Sequence, residues 1–337
     1  MKDNITKLRN VQLELLKEFK RVCDENDLKW YVFFGTLLGT MRDGGYPAWD
    51  DDIDVVMPPE DYRKLCLNKT LFKEGFFLQT TIDDGFYYFA KLRKDGTFAL
   101  SGKLEEGLKK GGHMGIYIDI IPLNEIPGSG CYSTPTLMSH EKKNAVYLKS
   151  WFEPYGTRKF EGIDVRVPAL PRKVLNEVYG DWAWPHGAMS CYPTLWFFDT
   201  ERGYEYYVRK YTGMLEGIED KKIFLFGAGD SLRIWVERFG MKDKIVCTFD
   251  NNSKMWGKES YGVEVRDPSK IPELYDENSR IIIVSLYHQE IGRQLEDMGI
   301  KDYYVYLDQY YDDKIGNKVV RREDLVDGEK QIPKWDF

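Results

Sequence analysis

The chain has 337 residues, of which 42% are hydrophobic, a net charge of −7 at pH 7 and five dispersed cysteines. This length allows two domains with ordinary apolar cores, and an acidic balance without a dense Lys/Arg block argues against a dedicated nucleic-acid-binding protein. Because no secretory or membrane-spanning apolar segment is evident, we expect reduced thiols and a cytoplasmic protein, with at most peripheral contact at the inner face of a membrane.

The first segment of the chain has the pattern of an amphipathic helix. Between residues 5 and 23, apolar side chains recur at helical spacing with Lys, Glu and Arg between them. A buried strand is then predicted over residues 31–34, followed by a helix that starts at Gly35 and Thr36. The backbone N–H groups and the hydroxyl at such a helix start suit phosphate oxygens.

Acidic residues alternate with apolar residues just after this helix. Asp50, Asp52 and Asp54 are predicted to share one face of a strand, about 7 Å apart, while Ile53 and Val55 point to the core. Carboxylates at this spacing repel one another, and Mg²⁺ (or Mn²⁺) is the natural compensating ion. The alternative is a solvated acidic turn, but an exposed turn would not need the alternating apolar residues.

A pair of strands is predicted next, over residues 76–80 and 86–93, with a turn at 83–85. Lys91 and Arg93 then share a face and could clamp a phosphate, although two solvated strand residues would give the same pattern. Further on, the apolar run 113–123 contains a single acid, Asp119. Because an unpaired buried carboxylate is costly, we expect Asp119 to face a cation or a proton-transfer site, the alternative being a structural cap.

These patterns resemble a known family. A Gly-Thr helix start followed by an Asp-x-Asp strand resembles the nucleotidyltransferase superfamily, and GTLLG at 35–39 with WDDDID at 49–54 resembles the LicD family of phosphocholine transferases, to which fukutin and fukutin-related protein are related. The resemblance continues through the Lys-x-Arg pair with Thr97, through the strand of Asp119, and through the YGD motif at 179–181. It covers about residues 1–190.

The resemblance implies transfer of a phospho-alcohol group, such as phosphocholine, from a CDP-activated donor (CDP-choline or similar) to a hydroxyl of a glycan or lipid-linked glycan. Such acceptors include teichoic acid and lipopolysaccharide. It makes Asp119 the third carboxylate of the site. The implied catalytic residues are Asp52, Asp54 and Asp119, the Mg²⁺ ligands are these three with Asp50, and the substrate or phosphate ligands are Gly35, Thr36, Arg42, Trp49, Lys91 and Arg93. Trp49, Tyr46 and Trp182 are candidates for an aromatic cage around choline.

Two other functions fit the same residues. An ordinary nucleotidyltransferase would use the same three acids to attach a nucleoside monophosphate from an NTP to a small molecule or protein. A non-catalytic sugar-nucleotide-binding scaffold would instead work through the C-terminal part of the chain, and would tolerate Asp52→Asn. A zinc site is not expected from dispersed cysteines and four histidines.

The C-terminal part has a different pattern. A buried strand at 222–226 enters the Gly-x-Gly turn of Gly227 and Gly229, a second strand ends in Asp250, and a third follows at 280–285. Strands alternating with helices predict a parallel, Rossmann-like sheet, in which Gly227, Gly229 and Asp250 could bind a nucleotide. Leu232 stands where the third glycine of that motif is normally found, so a structural role, or one in a homo-oligomer, is equally consistent.

The sequence therefore predicts an α/β protein. Residues 1–195 are expected to form a nucleotidyltransferase-like α+β catalytic domain, and residues 196–220 a helical linker. Residues 221–312 are expected to form the Rossmann-like domain, and residues 313–337 a C-terminal tail.

Overall fold

The computed structural model describes residues 2–48, 50–84, 89–100, 113–135, 145–180 and 197–307. Within these residues the chain divides into two compact units, residues 2–204 and 205–307. Several predicted features lie outside the described residues: Trp49, Asp181, Trp182, the beginning of the strand predicted at 86–93, and the tail 313–337.

The first unit is a mixture of helices and short strands. Its helices are α1 Lys2–Glu25, α2 Phe34–Arg42, α3 Pro59–Leu67, α4 Thr81–Asp84 and α5 Pro171–Tyr179, with 3₁₀ turns at Lys69–Leu71 and Lys149–Trp151. Its strands are β1 Tyr31–Val32, β2 Asp54–Met57, β3 Phe76–Gln79, β4 Ala90–Lys94, β5 Phe98–Leu100, β6 Tyr117–Pro122, β7 Asn124–Ile126, β8 Cys131–Ser133, β9 Val146–Leu148, β10 Gly156–Phe160, β11 Ile163–Val167 and β12 Phe197–Asp199.

A five-stranded sheet forms the centre of this unit, in the order β1-β2-β6-β4-β3. β2 and β6 are parallel, whereas the other neighbours are antiparallel. The apolar side of α1 is fully buried at Leu8, Leu15 and Phe19 and belongs to the same core as the apolar residues of the sheet. Smaller pairings are β10 with β11, β12 with β5, and the sheet β7-β8-β9.

The strand predicted through all three acids is wrong for residues 50–53. β2 begins only at Asp54, because its antiparallel neighbour β1 contributes two residues, paired with Val55 and Val56, before the chain turns into α2. Residues 50–53 therefore have no β1 partner. The turn predicted at 83–85 is also different, because residues Thr81–Asp84 form a short helix. The strands on either side, β3 and β4, pair antiparallel as predicted.

The second unit contains a parallel sheet. Its helices are α6 Tyr204–Thr212, α7 Asp230–Phe239, α8 Ile271–Leu274 and α9 His288–Asp297, with 3₁₀ turns at Lys242–Lys244, Ser253–Met255 and Pro268–Lys270. Its strands are β13 Lys222–Phe226, β14 Ile245–Phe249, β15 Glu259–Ser260, β16 Val263–Arg266, β17 Ser279–Ile283 and β18 Tyr303–Val305.

This sheet has the order β15-β16-β14-β13-β17-β18, and all pairs are parallel except β15 with β16. The buried runs Ile223–Phe226 and Ile281–Ile283 form its centre, as continuous apolar strands of a covered parallel sheet should. The predicted α/β class is thus confirmed. Among the described helices, none is long and apolar enough to cross a membrane.

Candidate active site

A row of three charged side chains crosses the central sheet of the first unit. Strand register places Asp54 of β2 beside Asp119 of β6, and Asp119 beside Lys91 of β4. Registered partners on adjacent strands point to the same face and lie about 5 Å apart. The sheet therefore brings together two acids and a cation that are separated by 65 residues of sequence.

Asp119 and Lys91 form a buried ion pair. The Lys91 ammonium contacts Asp119 Oδ1, and the two side chains are only 5% and 9% exposed. Burial lowers the pKa of Lys91, and the Asp119 carboxylate opposes this effect. The ammonium also lies 3.6 Å from the centre of the Tyr117 ring. The structure thus supplies the cation that a carboxylate buried among isoleucines requires.

Arg93 is also buried on this face, so neither cation of the predicted pair is solvated. Its Nη1 donates to the Gly115 carbonyl at 2.8 Å, its Nε donates to Gln79 Oε1, and its guanidinium lies 4.8 Å from the Tyr117 ring centre. Thr97, which follows β4, contacts the residue that precedes β6: its hydroxyl accepts from the Ile116 N–H at 2.9 Å. Lys91 and Arg93 form a fixed positive region next to Asp119.

The acidic loop, defined as residues 50–53, brings further carboxylates to the start of β2. Asp50, Asp51 and Asp52 each offer an oxygen, and these oxygens lie within 4.8 Å of one another. Asp50 Oδ2 is buried and lacks a hydrogen-bond partner. Burial, followed by the charge of Asp52, raises the pKa of Asp50 to about 9. Burial and the neighbouring acids Asp52 and Asp119 likewise raise the pKa of Asp54 well above its ordinary range.

The start of α2 is built against these acids. A Cβ on Gly35 would lie 3.0 Å from Asp50 Cγ and closer still to Oδ2, so only glycine leaves room for that carboxylate. The Thr36 hydroxyl accepts from the Asp54 backbone N–H at 2.9 Å and ties the first turn of α2 to the first residue of β2. Gly35 and Thr36 therefore lie beside Asp50 and Asp54, as the motif requires.

The donor set fits a hard divalent cation. The three groups that converge, Asp50, Asp51 and Asp52, are all carboxylates. Oxygen ligands of this kind are those that Mg²⁺ and Mn²⁺ prefer. The unpartnered Asp50 Oδ2 and the raised pKa values of Asp50 and Asp54 both reflect uncompensated negative charge. A bound cation would remove this penalty.

Other predicted ligands lie elsewhere. Arg42 ends α2, about 10 Å along the helix from Gly35, and pairs with Asp43 at 2.7 Å. Tyr46 does not line an open cage: its ring packs on Phe160 with a 4.9 Å centroid separation, and its hydroxyl donates to Gln12 Oε1 at 3.0 Å. The other cage candidates, Trp49 and Trp182, are outside the described residues.

In the second unit, the Gly-x-Gly turn follows β13 as predicted. Gly227 has φ +124°, and a Cβ there would lie 2.5 Å from the Val284 carbonyl oxygen, whereas Gly229 faces open space at the start of α7. The two carboxylate oxygens of Asp250 accept from the backbone N–H groups of Ala228 and Asn252, each at 2.8 Å. Asp250 thus shapes the glycine turn itself.

Three residues of the first unit were missed by the sequence interpretation. Asp51 was missed because a strand would point it away from Asp50 and Asp52, and the actual loop does not alternate. Tyr117 could have been predicted from the sequence, because it lies two residues before Asp119 on one strand and its side chain must share the same face. Gln79, the acceptor for Arg93, could be found only from the β3–β4 register.

Comparisons with known proteins match both parts of the chain. A family model described as LicD/FKTN/FKRP, nucleotidyltransferase domain, matches residues 27–170, and one described as C2185-like, N-terminal, matches residues 219–306. The lipopolysaccharide cholinephosphotransferase LicD of Haemophilus influenzae is 37% identical over 54 residues, which are 16% of this chain and 20% of that protein. The chain therefore matches about a fifth of the length of this curated relative. Residues 27–170 of the chain are a nucleotidyltransferase domain of the LicD family.

Proposed function

We propose that the protein is a Mg²⁺-dependent transferase that moves phosphocholine, or a similar phospho-alcohol, from a CDP-activated donor to a hydroxyl of a cell-surface glycan or its precursor. The observation that carries the proposal is that the cluster of Asp50, Asp51 and Asp52 adjoins the registered row of Asp54, Asp119 and Lys91 inside a LicD-type domain. The name of the Haemophilus influenzae relative supports choline as the alcohol.

The reaction needs positioning and charge compensation more than a protein nucleophile. The acceptor oxygen forms a bond to the phosphorus that carries the alcohol, the bond from that phosphorus to CMP breaks, and the hydroxyl proton passes to a carboxylate. Asp119, whose charge is compensated by Lys91, is the residue we assign to complete the metal site or to take this proton. The N–H groups at Gly35 and Thr36 are suited to phosphate oxygens.

Asp52 and Asp54 would hold Mg²⁺ with the help of Asp50, and the ion would neutralise charge on the diphosphate and on the leaving CMP. The chain's own contribution is to keep these acids close together despite their repulsion. Two contacts with α2 keep the acids in place: Gly35 leaves room for the Asp50 carboxylate, and the Asp54 backbone N–H donates a hydrogen bond to the Thr36 hydroxyl.

A panel of donors tests the proposal. The purified protein is incubated with Mg²⁺, an acceptor glycan extract, and either CDP-choline, other CDP-alcohols or NTPs, and the released nucleotide products are separated by chromatography. We expect CMP from a CDP-alcohol, and we expect Asp52→Asn to abolish its release. Loss of CMP release upon addition of EDTA, restored by Mg²⁺ or Mn²⁺, would support the metal requirement.

The runner-up function is transfer of a nucleoside monophosphate, which is favoured by the general nucleotidyltransferase description of the matched domain. It predicts pyrophosphate from an NTP and no CMP from CDP-alcohols. A binding scaffold predicts neither product, and predicts that sugar-nucleotide binding survives Asp52→Asn. The same panel therefore separates all three functions.

A further inference from the structure

Helix α1 reaches the acidic loop with two polar side chains. Arg9 Nη2 donates to the carbonyl oxygens of Pro47 and Asp50, at 3.0 and 2.5 Å. Gln12 Nε2 donates to the Asp51 carbonyl at 2.8 Å. Two consecutive acidic residues of the loop thus have their backbone oxygens held by a helix that precedes the matched domain.

These contacts belong to one connected arrangement. Gln12 is fully buried, and its amide is oriented from both ends, because its Oε1 accepts from the Tyr46 hydroxyl while its Nε2 donates to the loop. The Arg9 guanidinium lies 4.5 Å from the centre of the Tyr46 ring. On the other side, Glu161 accepts from the Tyr46 N–H at 3.1 Å. Tyr46 is therefore a fixed point against which both side chains of α1 are set.

The acidic loop needs such support for a physical reason. Residues 50–53 have no β1 partner, and the three clustered acids repel one another, so contacts from neighbouring elements must help to keep these acids close together. Hydrogen bonds from a cationic donor to carbonyl oxygens are stronger than neutral ones. Groups that orient metal ligands in this way typically change metal affinity or activity when removed.

We propose that Arg9 and Gln12 are positioning residues that hold the acidic loop in the arrangement in which its carboxylates bind the divalent cation. The inference rests on the metal-dependent function proposed above, and it extends the working site to α1, outside residues 27–170 of the family match. Neither side chain is required to touch substrate or ion. Their effect passes through the backbone of Asp50 and Asp51.

Binding of Mn²⁺, followed by the electron paramagnetic resonance signal of the free ion, tests this role without any substrate. The variants are Arg9→Ala, Arg9→Lys and Gln12→Glu, the last of which keeps an acceptor for Tyr46 and loses the donor to Asp51. Arg21→Ala is the matched control, because Arg21 also lies on α1 and donates to a backbone carbonyl, that of Leu71 at 2.8 Å. Thermal unfolding of each metal-free variant is measured in parallel.

We expect Arg9→Ala and Gln12→Glu to weaken Mn²⁺ binding by roughly 10- to 100-fold, Arg9→Lys to lie between them and wild type, and Arg21→Ala to keep wild-type affinity even where its melting temperature falls. Wild-type affinity in Arg9→Ala and Gln12→Glu would overturn the inference, as would an equal loss in Arg21→Ala. Since the titration contains no donor, weakened Mn²⁺ binding supports the positioning role whichever donor is used, and failure of CMP release by wild type refutes only the proposed function.

Discussion

Replacement of Gly35 by alanine tests the site at its tightest point. The added Cβ would lie 3.0 Å from Asp50 Cγ, whereas ordinary contact begins at 3.4 Å, and it would lie closer still to the carboxylate oxygen Oδ2. The carboxylate must therefore move by several tenths of an ångström or more. Mg²⁺ demands near-ideal geometry with ligand distances of about 2.0–2.1 Å, so a displaced Asp50 cannot serve the same ion position.

The expected loss follows from the metal-binding role that we propose for Asp50. We expect divalent-ion affinity to fall by roughly 10- to 100-fold, the usual effect of disturbing groups that set metal ligands, which corresponds to about 1.4–2.7 kcal/mol of binding free energy. The metal-free protein should lose only a little stability, because the gain of about 1 kcal/mol from replacing glycine within a helix offsets part of the roughly 1–3 kcal/mol that overpacking a buried site costs. Mn²⁺ titration and thermal unfolding measure the two effects separately.

Two further variants make the reasoning refutable. Gly229→Ala places a Cβ in open space at the start of another helix, and should leave Mn²⁺ binding unchanged. In an Asp50→Ala background, Gly35→Ala should have little additional effect, because the clashing carboxylate is absent and the two changes are then strongly non-additive. Full Mn²⁺ affinity in Gly35→Ala, or additive losses in the double variant, would show that Asp50 is not the ligand that Gly35 accommodates.

Three other predictions follow from the buried groups of the first unit. Lys91→Met leaves Asp119 buried without its cation and should cost about 3–5 kcal/mol of unfolding free energy without metal, measured by urea denaturation; an unchanged midpoint would contradict the pairing. The pKa of Asp50 is raised to about 9 in the folded state, whereas an aspartate in the unfolded chain loses its proton near pH 4. The folded protein therefore holds an extra proton between these two pH values. The stabilisation from this proton is complete below about pH 4 and is lost as pH rises through about 9. Asp50→Asn should flatten this decline in metal-free melting temperature, and Mg²⁺ binding at pH 7 should release a proton, detectable by calorimetry in buffers of different ionisation enthalpy. Thr36→Val leaves the first N–H of β2 without its acceptor and should cost about 1–3 kcal/mol, whereas Thr40→Val, which removes a donor to a helix carbonyl, should cost less; equal losses would refute the specific role of Thr36.

The sequence by itself determined the α/β class, a helix start within one residue of Gly35, and the requirement that Asp119 meet a cation. These follow from local periodicity and from the cost of burying an unpaired charge, which depend on residues close together in the chain. The parallel strands of the second unit and the place of its glycine turn were predicted for the same reason.

Only the tertiary structure decided which groups meet. Register between β4, β6 and β2 selects Lys91 as the partner of Asp119 and sets Asp54 beside it. Because β1 is only two residues long, residues 50–53 remain outside the sheet. Asp51 therefore joins the other acids instead of facing away from them. Support from Arg9 and Gln12 spans about forty residues of chain. No periodicity within a segment reports such contacts, because they arise from the packing of one element on another.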